Sequence, residues 1–215
     1  MPYRRTENVE RRLAARHAAI IAAARQAARE GGMAAVQIAA VARRAGIAAG
    51  TVYRYFPGKA DLVAAVFAEI SERELAALRR AAANAPGPLS ALACATMNFA
   101  TRLLRERRLA FAAIAEPVEP ALEPIRLKFR KLLADELASR IAAAIAGGHL
   151  PQQDARLAAV GVLGLLVEGT IGPLASPTGR ERDLVQSLTL TVLRALGLAD
   201  ARARGLVVQT IVTED

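Results

Sequence analysis

Apolar residues recur at three- and four-residue intervals along most of the chain, in segments cut apart by glycine and proline. This is helical periodicity. The first segment predicts a helix over about residues 7–30, with Leu13, Ile20, Ile21, Ala24 and Ala28 on one face, arginines on the other, and Gly31-Gly32 as its stop. A short helix over about 37–44, the turn Ala45-Gly46-Ile47-Ala48 and a second short helix over about 49–55 follow. Gly46 stands where the chain must leave a helix through a left-handed residue, a conformation open to glycine without steric cost. Two short helices joined by a four-residue turn with glycine form a helix-turn-helix skeleton, here about 37–56, with Ile38, Val41, Ala42, Ile47, Val52 and Phe56 as its small core.

After the break at Phe56-Pro57-Gly58-Lys59 a long helix is predicted over about 58–83, with Asp61 near its positive end. Asn84 to Pro88 reads as the clearest linker. Further helices are expected at about 89–105, 107–115, 121–147, 153–173 and 180–197, separated by Pro117 and Pro120, Gly147-Gly148, Pro151, and the stretch holding Pro173, Pro177 and Gly179. Leu206 to Val212, apolar and β-branched, suggests an extended tail. Strand-like alternation is missing and helix formers dominate, so the expected fold is all-α. The divisions are a basic arm at 1–13, a helix-turn-helix domain at 14–74, a helical body at 84–200 and a tail at 201–215.

Charge sharpens this division. Of a formal net charge of +9, residues 1–59 carry +8, from eleven Lys/Arg against three acids, and the rest is near neutral. A basic module on a neutral body suits a polyanion, because each phosphate neutralised releases condensed counterion. A proteome that favours arginine on solvated faces would leave a similar excess. Cys94 is the sole cysteine and the two histidines, His17 and His149, lie far apart, so neither a disulfide nor a structural zinc site is expected. No signal-peptide core is visible, and the apolar run at 157–167 is too short before Glu168 to span a bilayer; a cytoplasmic protein without membrane association is expected. No catalytic constellation or phosphate-cradling loop occurs, so neither an enzyme nor a cofactor is expected.

Residues Ile20 to Val66, and most closely AxxAGIAxGTVYRYFPGKxDL at Ala42 to Leu62, resemble the N-terminal domain of the tetracycline-repressor (TetR) family. The resemblance implies that Thr51 and Tyr53 contact DNA phosphates, that Gly50 lets the backbone approach the strand, and that Lys59 grips a phosphate at the start of the fourth helix. It implies too that Tyr55 and Phe56 close the motif, one facing the DNA backbone and one buried. A hydroxyl, a phenol and an ammonium at these spacings can fix register without reading sequence. Base reading falls to Arg54 and Gln37, with Ala48 and Ala49 offering only apolar contact to a thymine methyl. Ala48 forgoes the usual Ser or Thr N-cap, a loss of about 1 kcal/mol. Gly58 stands likewise for a serine cap. Arg43 and Arg44 are either near-phosphate or solvent charges. Arg4, Arg5, Arg11 and Arg12 are either a minor-groove arm or an ordinary solvated tail.

In the body, Leu157 to Leu174 is apolar almost all round, with Gly164 among several glycines, and a second stripe runs through Leu184, Leu188 and Val192. Such a helix is expected to be buried, with Leu157, Val160, Gly164, Leu184, Leu188 and Val192 forming a homodimer interface. The resemblance implies the same pairing, two recognition helices about one DNA turn apart, and a palindromic operator on double-stranded DNA. An unidentified small-molecule effector is expected in an apolar pocket drawn from Met97, Phe99, Leu103, Phe111, Ile114, Phe129, Leu133 and Leu166. Glu168 either meets a ligand there or pairs with an arginine across the dimer, and Glu116 is an alternative pocket acid. The expected function is a ligand-released repressor; the alternative is a helix-turn-helix protein that organises DNA or answers to a protein partner.

Overall fold

The computed structural model describes residues 7–173, 175 and 180–210. Among them the regular elements are all helical, and the fold is all-α. The N-terminal module consists of α1 (Glu7–Gly31), α2 (Ile38–Arg44) and α3 (Ala49–Tyr53). The helix α4 (Lys59–Ala83) leads from this module into a body of α5 (Pro88–Arg105), α6 (Arg107–Ile114), α7 (Glu123–Ala146), α8 (Ala155–Thr170), α9 (Glu181–Ala195) and α10 (Asp200–Gln209).

The arrangement follows from which faces are apolar. Along α1, Ile20, Ala24 and Ala28 are buried at four-residue spacing and pack towards α2 and α4. Gly46 then turns α2 into α3 at φ 66°, and Val41, Val52 and Phe56 fill the space between them. Gly32, at φ 77°, makes the turn that ends α1. In the body α5 is the central helix: Leu92, Phe99 and Ala100 are fully enclosed, and α4, α7, α8 and α9 pack around it. Pro88 opens this helix in its first turn, where its missing N–H costs nothing. Phe67, Phe99 and Phe129 are buried almost completely, each stabilising the body by about 1.5–3 kcal/mol relative to exposure. No helix among the described residues is long and apolar enough to cross a membrane.

One expectation changes. The chain at 200–209 is helix α10, not an extended tail, because Asp200 in its first turn pairs with Arg194 and Arg204 while Ala203 and Val207 are buried. In α8 the expectation is that one outer face is left uncovered by the body. One face, Ala159, Val162, Leu163, Leu166 and Thr170, is buried, but the opposite face is open, with Leu157 71% and Val160 60% exposed. The body has too few helices to cover both.

Candidate nucleic-acid interface

The short helix α3 presents its polar edge because its apolar contacts are made by Val52 alone, while Ala49, Gly50 and Tyr53 face outward. Tyr53 is 53% exposed, an unusual position for a large aromatic ring without a partner surface. Thr51 is half-buried beside it, and no side chain fills the space over Gly50. Ala48 is the N-cap of α3 and Gly58 that of α4; neither supplies a side-chain hydrogen bond. The first N–H groups of both helices therefore keep unfilled donor capacity, the chemistry that favours an anion at a helix N-terminus.

Lys59 opens α4. Its Nζ donates to Glu119 Oε1 at 2.7 Å, so the ammonium is paired with a carboxylate of the body. Tyr55 is half-buried and Phe56 buried. His17 of α1 lies against both, with ring centroids 6.2 Å and 5.1 Å away, and holds the aromatic pair from outside. Sequence reasoning passed over His17, since its spacing from the pair signals nothing.

The other expected contacts fall in several places. Arg54 is the C-cap residue immediately after α3, exposed but at the end opposite to the usual base-reading turn. The recognition helix is shorter than the expected 49–55 because the chain turns at Arg54 and Tyr55 towards Pro57. Gln37 is exposed and its Nε2 donates to Ala34 O at 2.9 Å. Arg44 is committed elsewhere: its Nη1 donates to Glu30 Oε1 at 3.0 Å and ties α2 to α1, while Arg43 is exposed. Glu30 also accepts from Gln26, and the Gln26 and Arg44 hydrogen bonds hold its carboxyl below the ordinary value. Arg11 and Arg12 are exposed residues of helix α1, which begins at Glu7, so they do not belong to an irregular arm. Arg4 and Arg5 lie outside the described residues.

Of the expected ligand set, Met97, Phe129 and Leu166 are core side chains and Phe111 is half-buried. Glu116 is not a pocket acid. Its Oε2 accepts from Met33 N at 3.1 Å, Arg108 stands 3.8 Å away, and it fastens the loop after α6 to the turn after α1. Glu168 is not enclosed either: it is exposed on the open face of α8, in line with Leu157, Val160, Gly161 and Gly164. Leu184 is half-buried. Leu188 and Val192 are already buried within the protomer by the packing of α9, so neither remains available to a second copy.

A short helix with an outward aromatic, led in by a glycine turn and followed by a cation at the next helix N-terminus, defines a helix-turn-helix protein. Residues 20–66 match the model of the family described as bacterial regulatory proteins, tetR family. Over this N-terminal module the chain is similar to that family. The HTH-type transcriptional repressor KstR of Rhodococcus jostii (strain RHA1) is 52% identical over 46 residues. That match spans 21% of this chain and 22% of the relative. Likeness over the whole chain is one of fold. The structure of RolR in complex with resorcinol superposes with a TM-score of 0.67 at 23% identity, covering 95% of this chain and 98% of that one. FadR from Bacillus subtilis in complex with stearoyl-CoA gives a TM-score of 0.65 at 22% identity, with 83% and 97% covered.

Proposed function

We propose that this chain is a DNA-binding transcriptional regulator: a homodimeric repressor that sits on a palindromic operator and is released by a small apolar or amphipathic effector. The observation that carries the reading is the outward edge of Gly50, Thr51 and Tyr53 with Lys59 at the next helix N-terminus. These groups position the helix on phosphates, and Arg54, Gln37, Ala49 and Arg43 lie near enough in sequence to meet bases or backbone. Residues 14–74 act as the DNA-binding domain and 84–200 as the effector and dimerisation domain. Pairing uses the open face of α8, Leu157, Val160 and Gly164, with Leu184 of α9 at its side and Glu168 along the same stripe. A row of exposed apolar residues over small ones lets two helices approach closely. The kinds of ligand named for RolR and FadR, a phenol and an acyl thioester, support an effector with an apolar part. No catalytic role is assigned.

The test is selection of bound sites from random duplex DNA, followed by titration on the best palindrome and on scrambled DNA. A site preference of at least about 1,000-fold at physiological salt is expected of a specific regulator. Saturation along any duplex with no preferred site would instead support a DNA-organising role. Sedimentation of the Leu157→Glu, Val160→Glu double variant should show a monomer; a persistent dimer would remove the α8 interface.

A further inference from the structure

Behind the recognition edge, a cleft of about 540 Å³ opens between α1, α4, α5 and the start of α6. Volumes of about 300–1,000 Å³ are usual for small-molecule sites. Its mouth is lined by Arg25, Arg73, Arg80 and Arg102 with Glu72, Glu74 and Glu106. Inward it narrows to a mostly apolar throat of about 20 Å³ bordered by Leu103, Ala113, Ile114 and Phe129, and Ile70, Glu74, Arg102, Glu106 and Leu109 belong to both parts. Charge outside and hydrocarbon inside are the two halves of an amphiphile's complement.

The mouth is crossed by ion pairs. Arg102 of α5 holds Glu74 of α4 with two hydrogen bonds, at 2.9 Å from Nε and 2.6 Å from Nη2. Arg29 of α1 reaches Glu106, the residue between α5 and α6, at 2.6 Å. Arg25 Nε is buried and makes no hydrogen bond, with Glu69 Oε2 3.6 Å away.

We propose that this cleft takes the effector and that the effector is an anionic amphiphile, a carboxylate on an apolar body. The proposal rests on the effector-released reading above and specifies its ligand class. Arg102 already presents its planar fork to a carboxylate in two-point geometry, so a ligand carboxylate finds the donor arrangement made. Sign follows from what displacement leaves behind. An incoming anion sets Glu74 loose in a mouth that also holds Arg25, Arg73 and Arg80, where Arg25 Nε has no hydrogen bond to give up. An incoming cation would set Arg102 loose among those same arginines, and an uncompensated charge at a half-buried seam is costly. The apolar body lies along Ile70 and Leu109 and enters the throat as Phe129 and its neighbours give way beside Ala113. Loss of the Arg102–Glu74 pair unties α4 from α5. Since α4 begins at Lys59, this frees the helix that carries the DNA-facing module.

Calorimetry on the full chain, without DNA and below micelle-forming concentrations, compares decanoate, decanol and decylamine. Decanoate is expected to bind at least about tenfold more tightly than decanol, with decylamine weakest. Arg102→Gln should reduce the preference for decanoate over decanol to within about twofold. Glu74→Gln should tighten decanoate about threefold, a gain that misfolding cannot produce. Equal binding of acid and alcohol, tighter binding of the amine, no binding of any of the three, or an undiminished preference in Arg102→Gln overturns the proposal. Release from operator DNA is measured separately. Decanoate binding that leaves DNA binding unchanged refutes the effector-release reading while the anion site stands.

Discussion

The recognition edge of the N-terminal module and the charged cleft behind it are built on opposite plans. At the edge, Gly50, Thr51, Tyr53 and Lys59 lie within ten residues of one another, and three of them need only local helix geometry to face outward. In the cleft, the ties between helices are made by residues far apart along the chain: Arg102 is held by Glu74, 28 positions away, and Glu106 by Arg29, 77 positions away. The edge can therefore change without disturbing the fold. The cleft cannot, because its polar groups are also the fastenings between α1, α4 and the body.

The largest effect that would test this contrast is at the edge. Thr51→Ala with Tyr53→Ala should weaken operator binding by about 100-fold, roughly 2.7 kcal/mol, since two phosphate-positioning groups are removed. Melting temperature should move by less than about 2 °C, because the lost contacts are with solvent in the free chain. Anisotropy of labelled operator and a thermal melt on the same samples decide it. A large fall in melting temperature would mean that the edge is structural, and the contrast would break.

The glycines of the two regions give the next step down. Gly46 and Gly32 both have positive φ, yet only Gly46 opens onto empty space. A Cβ at Gly32 would lie 2.5 Å from Glu116 Oε1 and 2.6 Å from Arg108 Nη2. Gly46→Ala should cost about 1 kcal/mol, from backbone strain alone. Gly32→Ala should cost about 2–3 kcal/mol, because φ 77° with ψ −176° is a conformation open essentially to glycine alone and the added Cβ must also displace the side-chain ends of Glu116 and Arg108. Urea unfolding of both variants checks the ratio; equal costs would break the contrast between the two turns.

The same distinction governs how much could be read from sequence. Helix order was legible almost throughout, since each helix has its own apolar period and its own breaker: Gly31-Gly32 after α1, Pro88 at α5, Gly147-Gly148 after α7. Where expectation failed, the deciding contact was tertiary. Val208 is 81% exposed while Val207 is buried, an orientation set by α10 and invisible in a run of apolar residues. Val192 resembles an interface residue until it is seen to be fully buried where α9 packs on the body. The motif at Ala42 to Leu62 pointed to Lys59, but the pairing with Glu119 spans 60 positions and leaves no local trace. Glu116 was singled out as an acid beside proline, and its role depends on a backbone N–H of the other module.

Glu119 joins the two plans and predicts a smaller effect. On the proposed reading Lys59 exchanges it for phosphate, and the pair is largely solvated, worth at most about 1 kcal/mol. Glu119→Gln should tighten operator binding about two- to fivefold at low salt, by removing both a competitor for Lys59 and a charge that repels the strand. In a Lys59→Ala background the gain should shrink. An unchanged gain there would assign the whole effect to repulsion.

The smallest effect separates the regions by their response to acid and salt. Glu136, in the body, is pushed up by burial, but hydrogen bonds from Arg79 and Arg140 outweigh this and hold its carboxyl below the ordinary 4.5. A folded value below the unfolded one means that its contribution is complete above about pH 4.5 and is lost as pH falls through the folded value. Glu30, in the N-terminal module, is shifted in the same direction by Gln26 and Arg44, so its tie between α1 and α2 has the same sign. The two differ in setting: Glu30 is solvated, whereas Glu136 is 10% exposed and joins α7 to α4 through Arg79. Glu30→Gln and Glu136→Gln should each lower the melting temperature near pH 7, and both differences should vanish in acid once the wild-type carboxyls are protonated. Added salt at pH 7 should erase the Glu30 difference and leave most of the Glu136 difference, because screening acts on solvated charges first. If salt erased both alike, the fastenings of the body would be surface pairs like those of the edge module, and the division between the two plans would not hold.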